Sequence, residues 1–140
     1  MKTAVIYWSG TGNTEAMAEA VVEGAKQAGA EVSLFTASEF DTSKVGDFDT
    51  LAFGCPAMGA EELEDSEFLP MFTAVKPSLK GKKIALFGSY GWGDGEWMRT
   101  WEEDCVGAGC VFAADSVTCN EAPDDEALDA CRALGAALAS

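Results

Sequence analysis

The sequence predicts an α/β fold, a doubly wound parallel sheet of five strands with helices on both faces. Strand-like and helix-like patterns alternate from the first residue to the last, with no internal repeat, linker or low-complexity tract. Thr3-Ala4-Val5-Ile6-Tyr7-Trp8 is a continuous apolar run, as expected for a strand buried on both faces. The 140 residues suit one domain, residues 1–140, with ample length for a single buried core. In such folds ligands bind beyond the carboxyl ends of the strands. The functional residues are therefore expected in the loops after strands one, three and four.

The first strand, 3–8, runs into a glycine-rich turn and then a helix. That helix carries Met17, Val21, Ala25 and Ala28 at i, i+4, i+8 and i+11, and Gly29 ends it. Val32, Leu34 and Phe35 mark a short second strand, and the polar stretch 36–47 reads as a loop with room for one helical turn. A third strand over 49–54 is broken by Cys55-Pro56. After an acidic segment, Ser66 opens a helix whose Phe68, Phe72, Val75 and Leu79 share one face. Pro70 lies in its first turn, where proline costs least, and Pro77 stops it. Residues 83–88 form the fourth strand, and Asp94 caps a helix that buries Trp97, Met98, Trp101 and Cys105. A fifth strand spans 110–119. The last helix, from about 124, turns Leu128, Cys131, Leu134 and Leu138 inward.

Nine basic residues against 24 acidic ones, with no histidine, give a formal net charge of −15. Such a surface repels phosphate polyanions, which argues against nucleic acid and membrane as partners. It suits either plain solubility or a docking face for basic protein partners, whose encounter slows as salt is added. No apolar run has the length to cross a bilayer, and the run at Thr3 is too short for a signal peptide, so a cytoplasmic location is expected. Cys55, Cys105, Cys110, Cys119 and Cys131 contain no C-x-x-C pair, and there is no histidine to complete a zinc site. They are expected to be buried, reduced thiols behaving as small apolar side chains, and no metal site is expected.

The chemistry sits in the loops. Ser9-Gly10-Thr11-Gly12-Asn13-Thr14-Glu15 places three hydroxyls, one amide and two glycines at the entrance to a helix. The glycines let the backbone approach an anion, the first helical N–H groups point at it, and the side chains add neutral donors. It is a phosphate cradle containing no lysine or arginine. The triphosphate loop G-x-x-x-x-G-K-[ST] is absent, and the dinucleotide fingerprint G-x-G-x-x-G fails because Glu15 takes its last glycine position. After strand four, Gly88-Ser89-Tyr90-Gly91-Trp92-Gly93-Asp94-Gly95 sets four glycines around two aromatics. A tryptophan between glycines is held out from the backbone, suited to stack on a flat aromatic ligand. Trp97 and Trp101, at helical spacing, read as core.

Tyr7-Trp8-Ser9-Gly10-Thr11-Gly12-Asn13-Thr14 resembles the FMN-phosphate loop of flavodoxins. The similarity extends over the whole chain and most to the short-chain flavodoxins of anaerobic bacteria. The resemblance implies strand order 2-1-3-4-5 with FMN at the switch point, its phosphate held by Ser9, Gly10, Thr11, Gly12, Asn13 and Thr14. It implies that the loop beginning Cys55-Pro56-Ala57-Met58-Gly59-Ala60-Glu61 wraps the isoalloxazine ring. In that loop Met58 packs on one ring face, Gly59 offers its carbonyl to the flavin N5–H, and Glu61 accepts from N3–H. Pro56, Ala57 and Ala60 complete that side. Ser89, Tyr90, Gly91, Trp92 and Gly93 form the other, with Trp92 over the second ring face.

The function implied is that of a monomeric single-electron carrier holding FMN non-covalently, with no catalytic residue. It would cycle mainly between neutral semiquinone and hydroquinone and pass electrons between redox proteins, such as oxidoreductases and ferredoxin-linked systems. Acidic surroundings and a phosphate without counter-charge make added negative charge costly. That favours a low potential for the second electron, with only the nearest acids counting for much. Two other readings compete. An FMN-dependent quinone or nitro-compound reductase on this fold needs a substrate pocket and a nicotinamide site, on which this chain spends no length. A receiver-like signalling domain needs acidic residues where this chain has Ser9-Gly10 and Gly54-Cys55.

Ala60 departs from its relatives, which more often carry a polar residue or glycine there. Alanine resists the positive φ that a type II turn demands at its third position, whereas Gly59 tolerates positive φ at the second position of a type II′ turn. The loop is then biased toward the state that places the strain on Gly59. Ala60→Gly is expected to shift the first reduction potential in a redox titration, and an unchanged potential refutes the bias.

Overall fold

A computed structural model describes residues 1–58, 62–91, 93 and 95–140. In chain order the elements are β1 (Lys2–Tyr7), α1 (Asn13–Gln27), β2 (Glu31–Thr36), a 3₁₀ turn (Ala37–Glu39), α2 (Thr42–Val45), β3 (Thr50–Gly54), α3 (Phe68–Val75), β4 (Lys83–Tyr90), α4 (Glu96–Gly107), β5 (Val111–Phe112), β6 (Val117–Asn120) and α5 (Asp125–Leu138). The strands pair in parallel in the order β2-β1-β3-β4-β5, the order of the flavodoxin fold, and β6 also pairs with β4.

Alternate residues of the three inner strands feed two cores. Ala4, Ile6, Leu51, Phe53, Ile84 and Leu86 face α3 and α4, where Phe68, Phe72, Trp97 and Trp101 pack on them. Val5, Tyr7, Ala52, Ala85 and Phe87 face α1 and α5, against Met17, Val21, Cys131, Leu134 and Leu138. Burying each large side chain contributes about 2 kcal/mol, and burial on both faces makes these strands read as unbroken apolar runs. β2 lies at the edge, and its Leu34 remains 43% exposed.

Helix ends follow local chemistry. Ala28 is already the C-cap of α1 and exposed rather than inward-facing. Gly29, at φ +96°, lets Ala30 N–H donate to Ala25 O and its own N–H donate to Lys26 O, a Schellman ending. α3 starts at Phe68, two residues beyond Ser66, and after Val75 the chain tightens into a 3₁₀ turn over Lys76–Leu79 that contains Pro77. Asp94 lies outside the described residues, and Gly95 occupies the N-cap position of α4. Asp124 caps α5 by accepting from Ala127 N–H at 2.8 Å. The polar stretch 36–47 holds both the 3₁₀ turn and α2.

The strand expected over 110–119 is divided in two. Phe112 pairs with Ile84 and Val117 with Phe87, so five residues of the edge span three of β4. Ala113 N–H still donates to Ile84 O at 2.8 Å, residues 114–116 then leave the ladder, and Ser116 Oγ donates instead to Glu102 Oε2 on α4 at 2.7 Å. All five cysteines are free; Cys55, Cys105 and Cys131 are buried, while Cys110 and Cys119 are half-buried. Burial pushes the thiols of Cys55 and Cys131 up to about 12, which keeps them protonated.

α1 and α5 approach so closely that each presents a glycine to the other's backbone. A Cβ on Gly24 would lie 1.9 Å from Arg132 O, and one on Gly135 would lie 2.0 Å from Val21 O. Alanine at either position must push the helices apart, so Gly24→Ala is expected to cost about 1–3 kcal/mol in urea denaturation despite alanine's better helix propensity.

Candidate functional site

The carboxyl ends of β1, β3 and β4 open into a groove of about 370 Å³. Its walls are Trp8, Gly10, Thr11, Asn13, Pro56, Ala57, Met58, Ser89, Tyr90, Gly91 and Glu121. Nine residues expected at the site from the sequence are among them: Gly10, Thr11, Asn13, Pro56, Ala57, Met58, Ser89, Tyr90 and Gly91. Gly59, Ala60, Glu61 and Trp92 lie outside the described residues. Ser9, Gly12, Thr14 and Gly93 do not line the groove.

Three of those four residues shape the first loop from behind. Ser9 Oγ accepts from Gly12 N–H at 3.0 Å, closing the turn, and Gly12 reaches φ +95° as the N-cap of α1. The buried Thr14 hydroxyl lies 3.4 Å from that of Ser89, tying the first loop to the end of β4. The first-turn amides of Asn13, Thr14 and Glu15 find no acceptor among the described residues, so they remain free to meet an anion. Gly10 sits over the Trp8 ring, 3.1 Å from where its Cβ would be, so glycine keeps the loop low.

The second loop continues the sheet before it turns away. Cys55 N–H donates to Phe87 O and Ala57 N–H to Ser89 O. Met58 and Glu62 then exchange both backbone hydrogen bonds, at 2.8 and 2.9 Å, as an isolated antiparallel bridge. Met58 is 37% exposed, its thioether available to a flat ligand in the groove.

Three residues here were not assigned roles from the sequence. Trp8, read as the end of a strand, forms a groove wall, and its Nε1–H donates to Glu67 Oε2 at 3.0 Å. Among the described residues, Glu121 is the single charged one in the groove wall and the one non-glycine with positive φ, at 59°. Its N–H donates to Tyr90 O at 2.7 Å, which extends the β4–β6 ladder into the site. Glu64, which looks like one more solvated acid in the sequence, is only 5% exposed. Its carboxylate accepts from the amides of Ser66, Glu67 and Phe68, each at 2.8 Å, and from the Ser66 hydroxyl.

The donor set fits FMN: neutral hydroxyls and free amides for a phosphate, and an apolar slot for a ring beside them. An α/β protein with such a site at its strand-order switch point belongs to the mononucleotide-binding class. Comparison with known proteins narrows this. The flavodoxin family model matches residues 5–135, and the chain belongs to the flavodoxin family. It is 47% identical over 135 residues to the flavodoxin of Megasphaera elsdenii, covering 96% of each chain. To the flavodoxin of Clostridium beijerinckii it is 43% identical over 136 residues, covering 97% of this chain and 98% of the relative. It matches the solution structure of two-electron reduced M. elsdenii flavodoxin with a TM-score of 0.90 at 46% identity, over 98% of both chains. The protein is thus an FMN-binding electron carrier that serves redox proteins, not an enzyme.

Burial raises the pKa of Glu64, but the Ser66 hydroxyl and the amides of Phe68, Glu67 and Ser66 outweigh it and hold the carboxyl below its ordinary 4.5. Its stabilisation is therefore complete above the ordinary carboxylate range and is lost as pH falls through the depressed value. Glu64→Gln is expected to cost about 2 kcal/mol at neutral pH. In thermal unfolding from pH 7 down to 3, the difference between the native protein and this variant should shrink with acidity.

Proposed function

We propose that residues 1–140 form one FMN domain acting as a low-potential, single-electron carrier, monomeric and cytoplasmic, that cycles mainly between neutral semiquinone and hydroquinone. The observation that carries this reading is the charge of the groove wall: among the described residues it holds no lysine or arginine, and one carboxylate, Glu121. Ser9, Gly10, Thr11, Gly12, Asn13 and Thr14 hold the phosphate through amides and hydroxyls, leaving its charge without a counter-ion. Pro56, Ala57, Met58, Gly59, Ala60 and Glu61 enclose one side of the ring, and Ser89, Tyr90, Gly91, Trp92 and Gly93 the other, with Met58 and Trp92 on opposite faces.

When bound, FMN supplies the one-electron chemistry, and the residues around it set the cost of added charge. A negative charge arriving between an unneutralised phosphate and Glu121 is disfavoured, which lowers the potential at which the second electron is accepted. Distant acids are screened and contribute little. The remaining negative charge, −15 in total, favours partners with basic docking faces, such as oxidoreductases and ferredoxin-linked systems. No helix among the described residues is long and apolar enough to cross a membrane.

Anaerobic dithionite titration of the FMN-loaded protein tests the reading. The expected result is two steps, with a long-wavelength absorption band that rises with the first electron and vanishes with the second. A single two-electron step contradicts it and points to reductase chemistry.

A further inference from the structure

α3 starts at Phe68 with amides that need acceptors, and its N-cap residue, Glu67, offers no side-chain cap. Glu64 supplies them from three and four residues upstream: one oxygen takes the amides of Glu67 and Phe68, the other the amide and hydroxyl of Ser66. Such a buried carboxylate is stabilised by charge-assisted hydrogen bonds and by the helix dipole. A simple cap would stop there.

The main chain of Glu64 is also engaged on both sides. Its N–H donates to Cys55 Sγ at 3.4 Å, and its C=O accepts from Leu69 N–H at 2.8 Å. Cys55 is the first residue after β3, so Glu64 closes the loop 55–64 at its base. Two residues back from Glu64, Glu62 is locked to Met58, a wall of the groove. Met58 is thus held on its upstream side by the Cys55 and Ala57 amides bonded to β4, while Glu62, its bridge partner, returns to the body of the protein through Glu64 and its buried carboxylate.

We propose that Glu64 is a positioning residue for FMN: by pinning the return of the chain from Glu62 to α3, it fixes where the Met58–Glu62 bridge meets the ring. This rests on the assignment of that loop to the ring. Glutamine at 64 keeps the shape but replaces one accepting oxygen with an amide, so two of the four donors lose their partner. The Glu64 contacts then open more often, and the Met58–Glu62 bridge opens with them.

Amide hydrogen exchange, followed by NMR on the oxidised, FMN-loaded protein and its Glu64→Gln variant, tests the proposal. Exchange at Met58 and Glu62 should quicken at least tenfold, alongside Ser66, Glu67 and Phe68, and the Kd for both FMN and riboflavin should rise about tenfold. Quickening confined to Ser66, Glu67 and Phe68, with Met58 and Glu62 unchanged, overturns it and leaves Glu64 a helix cap. If Glu64→Gln does not fold, Ser66→Ala, which removes one donor, decides by the same comparison with a roughly threefold effect expected. No electron is transferred in this experiment, so its failure leaves the carrier reading intact, and a one-step titration leaves the exchange result intact.

Discussion

The proposed site depends on one constraint: a doubly charged phosphate would have to be held without a cation by a chain that carries fifteen excess negative charges. Free amides at the start of α1 would answer it, because they present partial positive charge and hydrogen bonds without adding a full charge near the ring. Such donors act only if the helix start is immobile. Much of the surrounding fold serves that end. The body of α1 is locked by the Gly24 and Gly135 contacts with α5, and its first turn by the Thr14–Ser89 hydroxyl pair. Trp8 under Gly10 and its bond to Glu67 hold the loop from the α3 side.

The same economy governs the ring side. The chain leaving β3 keeps two ladder bonds to β4 before the Met58–Glu62 bridge, and it returns through the buried Glu64 into α3. Glu121 completes the wall from β6, held at positive φ by its bond to Tyr90. A strained residue at a ligand groove is a recurrent place for such conformations.

The parts legible in the sequence are those whose environment is set locally. β1, β3 and β4 show as unbroken apolar runs because both faces are buried, and the Ser9–Thr14 run shows as a cradle because its residue types have few other uses together. The division between β5 and β6 was hidden, since it depends on register with β4 and on the Ser116–Glu102 bond. Glu64 was hidden among Glu61, Glu62 and Asp65; a carboxylate four residues before the first apolar position of a helix was the available signal. Nothing local marks Glu121 for positive φ, a conformation expected of glycine or asparagine. Gly24 and Gly135, glycines inside helical patterns, were a readable sign of close helix contact.

The central claim, a phosphate held by neutral donors inside an acidic protein, is tested most directly by measuring the Kd of the FMN-free protein for FMN and for riboflavin across a range of salt concentrations. FMN should bind far more tightly than riboflavin, and its affinity should stay level or rise with salt, because screening relieves repulsion between the phosphate and the protein. An FMN affinity that falls steeply with salt while riboflavin binding stays constant would mean that a cation holds the phosphate, and would contradict the account.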